Sequence, residues 1–242
     1  MGRLMNSHVV ALDRQLFGGI SKHQPFNFSK ALLHGCNQQD VKSGILALRR
    51  GPIRYCRDAT IVCEGDPTEY IFLVASGVAR SCKVYQDGSR RIVAFHFPGE
   101  LFGWSGGLIH SLSEEAATDA LVLFLKRSTL LATAIRDSRI ASYLLAATTN
   151  ELRRVQEHSL LLSRLAKCRV ATFLIDLSMR MGNSNYLDLP MSHLDIADHL
   201  GLKIETVSRT ITELVKSGSI ARASYRALFL RDRASLVRIM NE

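Results

Sequence analysis

No apolar run in this chain approaches the roughly 18 residues that a membrane-crossing helix needs, and Met1 to Gln15 lacks the apolar core of a secretory leader. The expected location is therefore the cytoplasm, with no membrane partner. Cysteine is sparse. Cys36, Cys56, Cys63, Cys82 and Cys168 contain no Cys-x-x-Cys, and residues 1–35 contain no cysteine. This spacing fits no iron–sulfur signature, so the thiols are expected to be free and buried, as in a reducing compartment. The chain also has no P-loop, no His-Glu-x-x-His and no Cys/His nucleophile arrangement. Asp195 and Asp198 lie three apart, but a capping role accounts for the first and solvent for the second. No catalytic residue, metal site or cofactor is expected, and the chain is not read as an enzyme.

What is present is a basic, globular composition. Apolar residues make up 47% and charged residues 22% of 242 positions, enough to bury a sizeable core in one large domain or two. The net charge of +9 favours a polyanionic partner. Residues 1–150 carry +5 and residues 151–242 carry +4, so the excess is spread out. Charge alone leaves DNA, RNA and a membrane surface open.

Pattern is more specific. From Leu189 to Ser217 the chain reads as two short helices about a tight turn. Leu194, Ile196, Ala197 and Leu200 give the first an apolar face, with Ser192 placed as N-cap three residues before Asp195. Gly201 supplies the turn, and Val207, Ile211, Leu214 and Val215 form the stripe of the second. Glu205, Ser208, Arg209 and Thr212 are left pointing outward. Helices so spaced place the second in a DNA major groove. Arg209 there could donate to guanine O6 and N7, and Glu205 could accept from a cytosine amino group. The competing reading is a plain helical hairpin in which Glu205 and Arg209 form a surface ion pair. Two short apolar runs follow, Ile220-Ala221 and Ala227 to Leu230, around a polar turn at Ser224-Tyr225-Arg226. They read as a β-hairpin wing, with Arg222 and Arg226 near phosphates.

These residues carry a resemblance. The C-terminal region is similar to the DNA-binding domain of the Crp/Fnr family of bacterial transcription regulators. Its Glu-x-x-Ser-Arg pattern (Glu205, Ser208, Arg209) resembles the Fnr branch, since the cyclic-AMP receptor branch has Gly at the position of Ser208. The resemblance implies half-sites near TTGAT, paired as TTGAT-N4-ATCAA inverted repeats. It also implies contacts to RNA polymerase, and activation of genes that respond to oxygen or nitrogen oxides. The implied DNA-facing set is Lys203, Glu205, Thr206, Ser208, Arg209 and Arg222. Lys203 departs from the family's usual Ser or Thr at the recognition-helix N-cap, where a cation opposes the helix dipole.

Upstream, Ile71 to Val74, Val78 to Val84, Ile92 to Phe97 and Leu121 to Leu125 are β-type runs. Turns at Gly65-Asp66, Ser76-Gly77, Asp87-Gly88 and Pro98-Gly99 separate them, and Asp87-Gly88 is a hairpin signal. The order resembles the cyclic-nucleotide-binding β-roll of the same family. Nucleotide-binding members hold ribose with Gly-Glu and the cyclic phosphate with Arg-Ser or Arg-Thr. Here Gly103-Trp104 and Glu114-Glu115 fall on those positions. An indole is only a donor, and two carboxylates repel a phosphate, so a cyclic nucleotide is not expected. Haem is not expected either, as His34, His96, His110 and His158 sit in no ligand motif. Members lacking both cluster and nucleotide site include FixK-type regulators, which this sequence resembles. The alternative is a ligand-gated regulator of the same fold with haem, cluster or an unknown metabolite in the roll.

Residues 138–181 contain neither proline nor glycine. Leu145, Thr148, Leu152, Val155, Ser159, Leu162 and Ala166 recur at steps of three and four, a seam of about three heptads. The resemblance makes it the two-fold element of a homodimer; the alternative is a lone helix packed on its own roll. A further helix starts near Leu165 with Val170, Phe173, Leu174 and Leu177 inward, and ends at Met181-Gly182. The expected fold is α+β: an N-terminal antiparallel β-roll, a long dimerisation helix and a C-terminal winged helix-turn-helix. The expected divisions are an N-terminal segment 1–28, a roll 29–136, a helix 137–165 and a DNA-binding domain 166–242, with the helix-turn-helix at 192–217.

Overall fold

The computed structural model describes residues 48–241. The segment 1–28, His34 and Cys36 lie outside the described residues. Eight strands come first: β1 (Arg49–Tyr55), β2 (Thr60–Val62), β3 (Tyr70–Ser76), β4 (Ala79–Val84), β5 (Arg90–His96), β6 (Leu101–Phe102), β7 (Ser113–Ala116) and β8 (Ala120–Lys126). They form two antiparallel sheets, ordered β1-β8-β3-β6 and β2-β7-β4-β5. β3 pairs Phe72 with both Phe102 and Phe124, and these rings pack with Val74, Ala79, Ala116, Ala120 and Val122 into a buried cluster. β3 alternates between two clusters, as the period of a strand dictates: Phe72 and Val74 join this one, while Ile71 and Leu73 face another.

The turn at Asp87-Gly88 joins β4 to β5, but over five residues rather than two. Tyr85 N donates to Ser89 O, and Asp87 Oδ1 accepts from the Ser89 amide and hydroxyl. Within this turn only Gly88 takes a positive φ, +79°, while the Asp87 side chain closes an Asx turn onto Ser89.

Helices follow: α1 (Arg127–Arg136), then α2 (Ser138–Leu161), whose Asp137 side chain caps it by accepting from Arg139 N. At 24 residues α2 is roughly 36 Å long. It lies on the roll through Ile140 and Leu144, which join Ile71, Leu101, Leu125 and Leu130. The remainder is α3 (Ala166–Arg180), β9 (Tyr186–Asp188), α4 (His193–Leu200), α5 (Ile204–Lys216), β10 (Ile220–Arg222), β11 (Ala227–Leu230) and α6 (Arg233–Met240). Phe173, Leu174, Leu177, Ile196, Leu200, Val207, Ile211 and Leu214 make the second core. That core is continuous with Cys82, Ile92, Phe95 and Phe97 of the roll. The roll and the helix-turn-helix are thus one packed body in this protomer.

A carboxylate ties three of these parts together. Glu100, in the turn between β5 and β6, accepts from Phe97 N at 3.0 Å, Arg154 Nη2 of α2 at 2.8 Å and Arg180 Nη2 of α3 at 2.7 Å. Arg180 also lies over the Phe97 ring, 4.3 Å from its centroid. Burial disfavours the ionised carboxyl, but the two guanidinium groups outweigh it and hold Glu100 below the usual range. Among the described residues no helix is long and apolar enough to cross a membrane.

Candidate nucleic-acid interface

α4 starts with a reciprocal cap. Ser192 Oγ accepts from Asp195 N at 3.0 Å, and Asp195 Oδ2 accepts from Ser192 N at 3.0 Å. The other carboxylate oxygen, Oδ1, accepts from Arg90 Nη2 at 2.7 Å and Arg80 Nη1 at 3.1 Å, both from the roll. Burial opposes ionisation of Asp195, but Ser192, Arg80 and Arg90 outweigh it and keep the carboxyl below its ordinary value. Asp198 is not merely solvated: its Oδ2 pairs with Arg90 at 2.8 Å. No local periodicity brings β4 and β5 to α4; the contact is made only by the tertiary fold.

The turn between α4 and α5 is fixed from two sides. Gly201 adopts φ +63° as the left-handed cap of α4, and a Cβ there would stand 2.5 Å from Arg91 Nη1. Arg169 of α3 donates to the Leu200 and Gly201 carbonyls at 2.9 and 3.3 Å. α5 then buries Val207, Thr210, Ile211 and Leu214, with Val215 half-buried. Thr210 is inside, though the spacing rule left it unassigned. Burying those aliphatic side chains contributes about 1.5–3 kcal/mol each.

The opposite side of α5 is open. Lys203, Glu205 and Arg209 are exposed, and Thr206 and Ser208 half-buried. Lys203 is the N-cap residue and supplies no side-chain cap; only its carbonyl accepts, from Thr206 N at 2.9 Å. Glu205 and Arg209, one turn apart on this exposed face, form no ion pair with each other. The wing is present: β10 pairs with β11 and β11 with β9, with Leu228 opposite both Arg222 and Leu187. Arg222 is exposed near the tip. Arg226, in the turn of the wing, is also exposed, and its guanidinium donates to the Leu189 and Pro190 carbonyls at 3.0–3.3 Å.

On α2, Leu145, Thr148, Leu152, Val155 and Ser159 are exposed and Leu162 is half-buried. Leu145 and Leu152 are 61% and 57% exposed, which leaves much of the seam uncovered by the protomer's own roll.

Inside the roll, Glu114 is buried and accepts from Ser81 Oγ at 2.6 Å, while His96 Nε2 stands 2.7 Å from the same hydroxyl. Burial pushes the Glu114 carboxyl up to about 8 and the His96 ring down to about 3, so both are neutral at pH 7. Glu115 pairs with Arg80 at 2.7 Å. Cys82 and Cys168 are buried, and burial raises the Cys82 thiol to about 12. Cys56 and Cys63 are exposed, contrary to the expectation for all the thiols, because they flank the short, poorly covered β2. Among the described residues no group of three His, Cys, Asp or Glu side chains is arranged to hold a metal ion.

Comparison with known proteins agrees with this geometry. Residues 52–137 match the cyclic nucleotide-binding domain and residues 168–239 the Crp-like helix-turn-helix domain. The nitrogen fixation regulation protein FixK of Azorhizobium caulinodans is 43% identical over 201 residues, 81% of each chain. The transcriptional activator protein FnrA of Stutzerimonas stutzeri is 33% identical over 75% of this chain and 77% of its own. The structure of FixK2 from Bradyrhizobium japonicum superposes with a TM-score of 0.74 at 41% identity, covering 77% of this chain and 95% of that one. These relatives are transcription regulators and not enzymes. With both domains matched in order and relatives of this identity spanning most of its length, the chain belongs to the Crp/Fnr family of DNA-binding transcription regulators, as a FixK-type member.

Proposed function

We propose that the protein acts in the cytoplasm as a homodimer that reads TTGAT-N4-ATCAA-like inverted repeats and activates transcription by contacting RNA polymerase. The observation that carries this reading is the exposed face of α5, where Glu205 and Arg209 are not paired with each other while the opposite face is locked into the core. Glu205, Ser208 and Arg209 select the bases; Lys203, Thr206 and Arg222 bind flanking phosphates. Pairing of α2 along Leu145, Thr148, Leu152, Val155, Ser159 and Leu162 sets two recognition helices about 34 Å apart, one turn of DNA. The division into a roll at 29–136, a helix at 137–165 and a DNA-binding domain at 166–242 follows that scheme.

Activation is the reading favoured by the similarity to the Stutzerimonas stutzeri relative, which is named a transcriptional activator. Genes responding to oxygen or nitrogen oxides are the inferred targets, by the likeness to the Fnr branch. A cyclic nucleotide is disfavoured as the signal, since by the family likeness Glu114 falls in sequence where nucleotide-binding members hold the phosphate, and its carboxyl is already bonded to Ser81. The direct test is a binding titration with duplexes carrying the inverted repeat and with scrambled duplexes, at one fixed salt concentration. Selective, two-protomer binding to the repeat is expected; equal binding to both overturns the assignment.

A further inference from the structure

The joint between roll, long helix and helix-turn-helix contains a pair of histidines that DNA reading does not use. His158, in the last turn of α2, and His199, in the last turn of α4, stack with ring centroids 4.2 Å apart and planes 19° from parallel. His199 also meets Phe95 of β5 edge-on at 5.2 Å and Phe173 of α3 at 5.8 Å. Its Nδ1 lies 3.1 Å from the Ile92 carbonyl of β5. A carbonyl only accepts, so the neutral ring carries its proton on Nδ1. Four elements therefore converge on one imidazole, and two of them, α4 and β5, belong to the parts that must stay docked for α5 to hold its angle.

The charges around the pair are cations. Arg91 of β5 faces His158, and Arg180 of α3 faces His199. The carboxylates of α4 are engaged elsewhere, Asp195 by Arg80 and Arg90 and Asp198 by Arg90, and Glu100 takes up Arg180 and Arg154. A second proton at this joint would place imidazolium against imidazolium, or against a guanidinium, with no carboxylate assigned to it.

We propose that His158 and His199 are a positioning pair that docks the helix-turn-helix on the roll while both rings are neutral, and that their protonation releases it and weakens specific DNA binding in acid. Burial first, then the neighbouring His158, lowers His199 to about 3; burial and Arg91 lower His158. In a released joint both return toward the ordinary value of about 6.5. The docked arrangement is thus fully favoured above that pH. Below it the docked-to-released ratio falls by up to about tenfold per pH unit for each ring. The docked form leaves Lys203, Glu205, Arg209 and Arg222 exposed, so docking fixes the reading face without covering it.

The affinity readout of this inference rests on the DNA-reading role of α5; its ring readout does not. Two measurements on the full chain separate them. In a histidine NMR titration, His199 assigned by its loss in His199→Asn is expected to be neutral at about pH 7 and to titrate together with His158 and with the loss of operator affinity, at a midpoint displaced below the ordinary value of about 6.5; an undisplaced midpoint overturns the proposal. In operator titrations at constant ionic strength, the wild type is expected to lose at least fivefold in affinity between pH 7.5 and 5.5. Protonating the other histidines adds positive charge and tightens binding, so the opposite sign is diagnostic. The His158→Phe/His199→Asn double variant keeps a flat ring at 158 and a donor to the Ile92 carbonyl without a titrating group. It is expected to hold or gain affinity in acid, and parallel loss in both proteins overturns the proposal. If the double variant does not fold, each single variant is titrated and is expected to lose part of the acid response; an undiminished response in both overturns it. Should the chain ignore the operator at every pH, DNA reading fails and the ring titration still decides.

Discussion

Arg80 Nη1 lies 3.1 Å from Asp195 Oδ1 across 115 positions of sequence, joining the β-roll to the capping box of the first helix of the helix-turn-helix. The same guanidinium reaches Glu115 at 2.7 Å and Asp58 at 3.0 Å, and its side chain is only 4% exposed. Arg80→Ala leaves Asp195 and Glu115 short of a cation in a desolvated place. The expected cost is about 3–5 kcal/mol, the range for breaking a buried pair from one side. Urea unfolding measures it, and a loss below about 1 kcal/mol would show that Arg90 alone suffices.

Arg209→Ala is expected to weaken operator binding by about 1–3 kcal/mol per half-site and to relax selection at the guanine. Titration on matched and scrambled duplexes reads it; an equal loss on both would make Arg209 a phosphate anchor. Lys203→Ala should instead weaken all sequences alike and lower the salt dependence by about one counterion. A slope of log affinity against log salt tests that.

Leu152→Lys puts a charge in the middle of the α2 seam. Because Leu152 is 57% exposed in the protomer, the fold should survive within about 0.5 kcal/mol. The dimer should dissociate, and sedimentation velocity distinguishes the two effects. An unchanged sedimentation coefficient would place the two-fold contact elsewhere.

The buried Glu114 gives stability a specific pH response. Its carboxyl is raised from an ordinary 4.5 to about 8 by burial, so the folded state binds the proton more tightly than the unfolded chain. That contribution is complete below about 4.5 and is lost as pH rises toward 8. Glu114→Gln keeps the acceptor for Ser81 and removes the titration. It should be more stable than the wild type at pH 8, on the order of 3–5 kcal/mol for a shift of this size, with a difference under about 1 kcal/mol at pH 5. Thermal unfolding at the two pH values checks this.

Local signals made the C-terminal half legible. The cap at Ser192, the turn at Gly201 and the stripe Val207, Ile211, Leu214 are each decided within a few residues, and each is where the pattern places it. In the roll the longer strands were legible through alternation. β1, β2 and β7 were not, because their exposed or charged residues (Arg49, Arg50 and Arg54 in β1, Glu114 and Glu115 in β7) break the apolar pattern. α1 went unread as well, since its only buried residue is Leu130. What no periodicity could show is long-range pairing. The hydrogen bonds from Arg226 to the Leu189 and Pro190 carbonyls are one case. Asp198 is another, resembling a surface acid until β5 is packed on α4. These assignments depend on the tertiary fold, where one guanidinium decides among several acceptors.

The carboxylate of Glu100 stands at a crossing of three levers. Arg154 and Arg180 pull on its two oxygens from different helices, and its own backbone belongs to the loop after β5. Any displacement of that loop therefore loads two ion pairs together, one from the long helix and one from the first helix of the DNA-binding half.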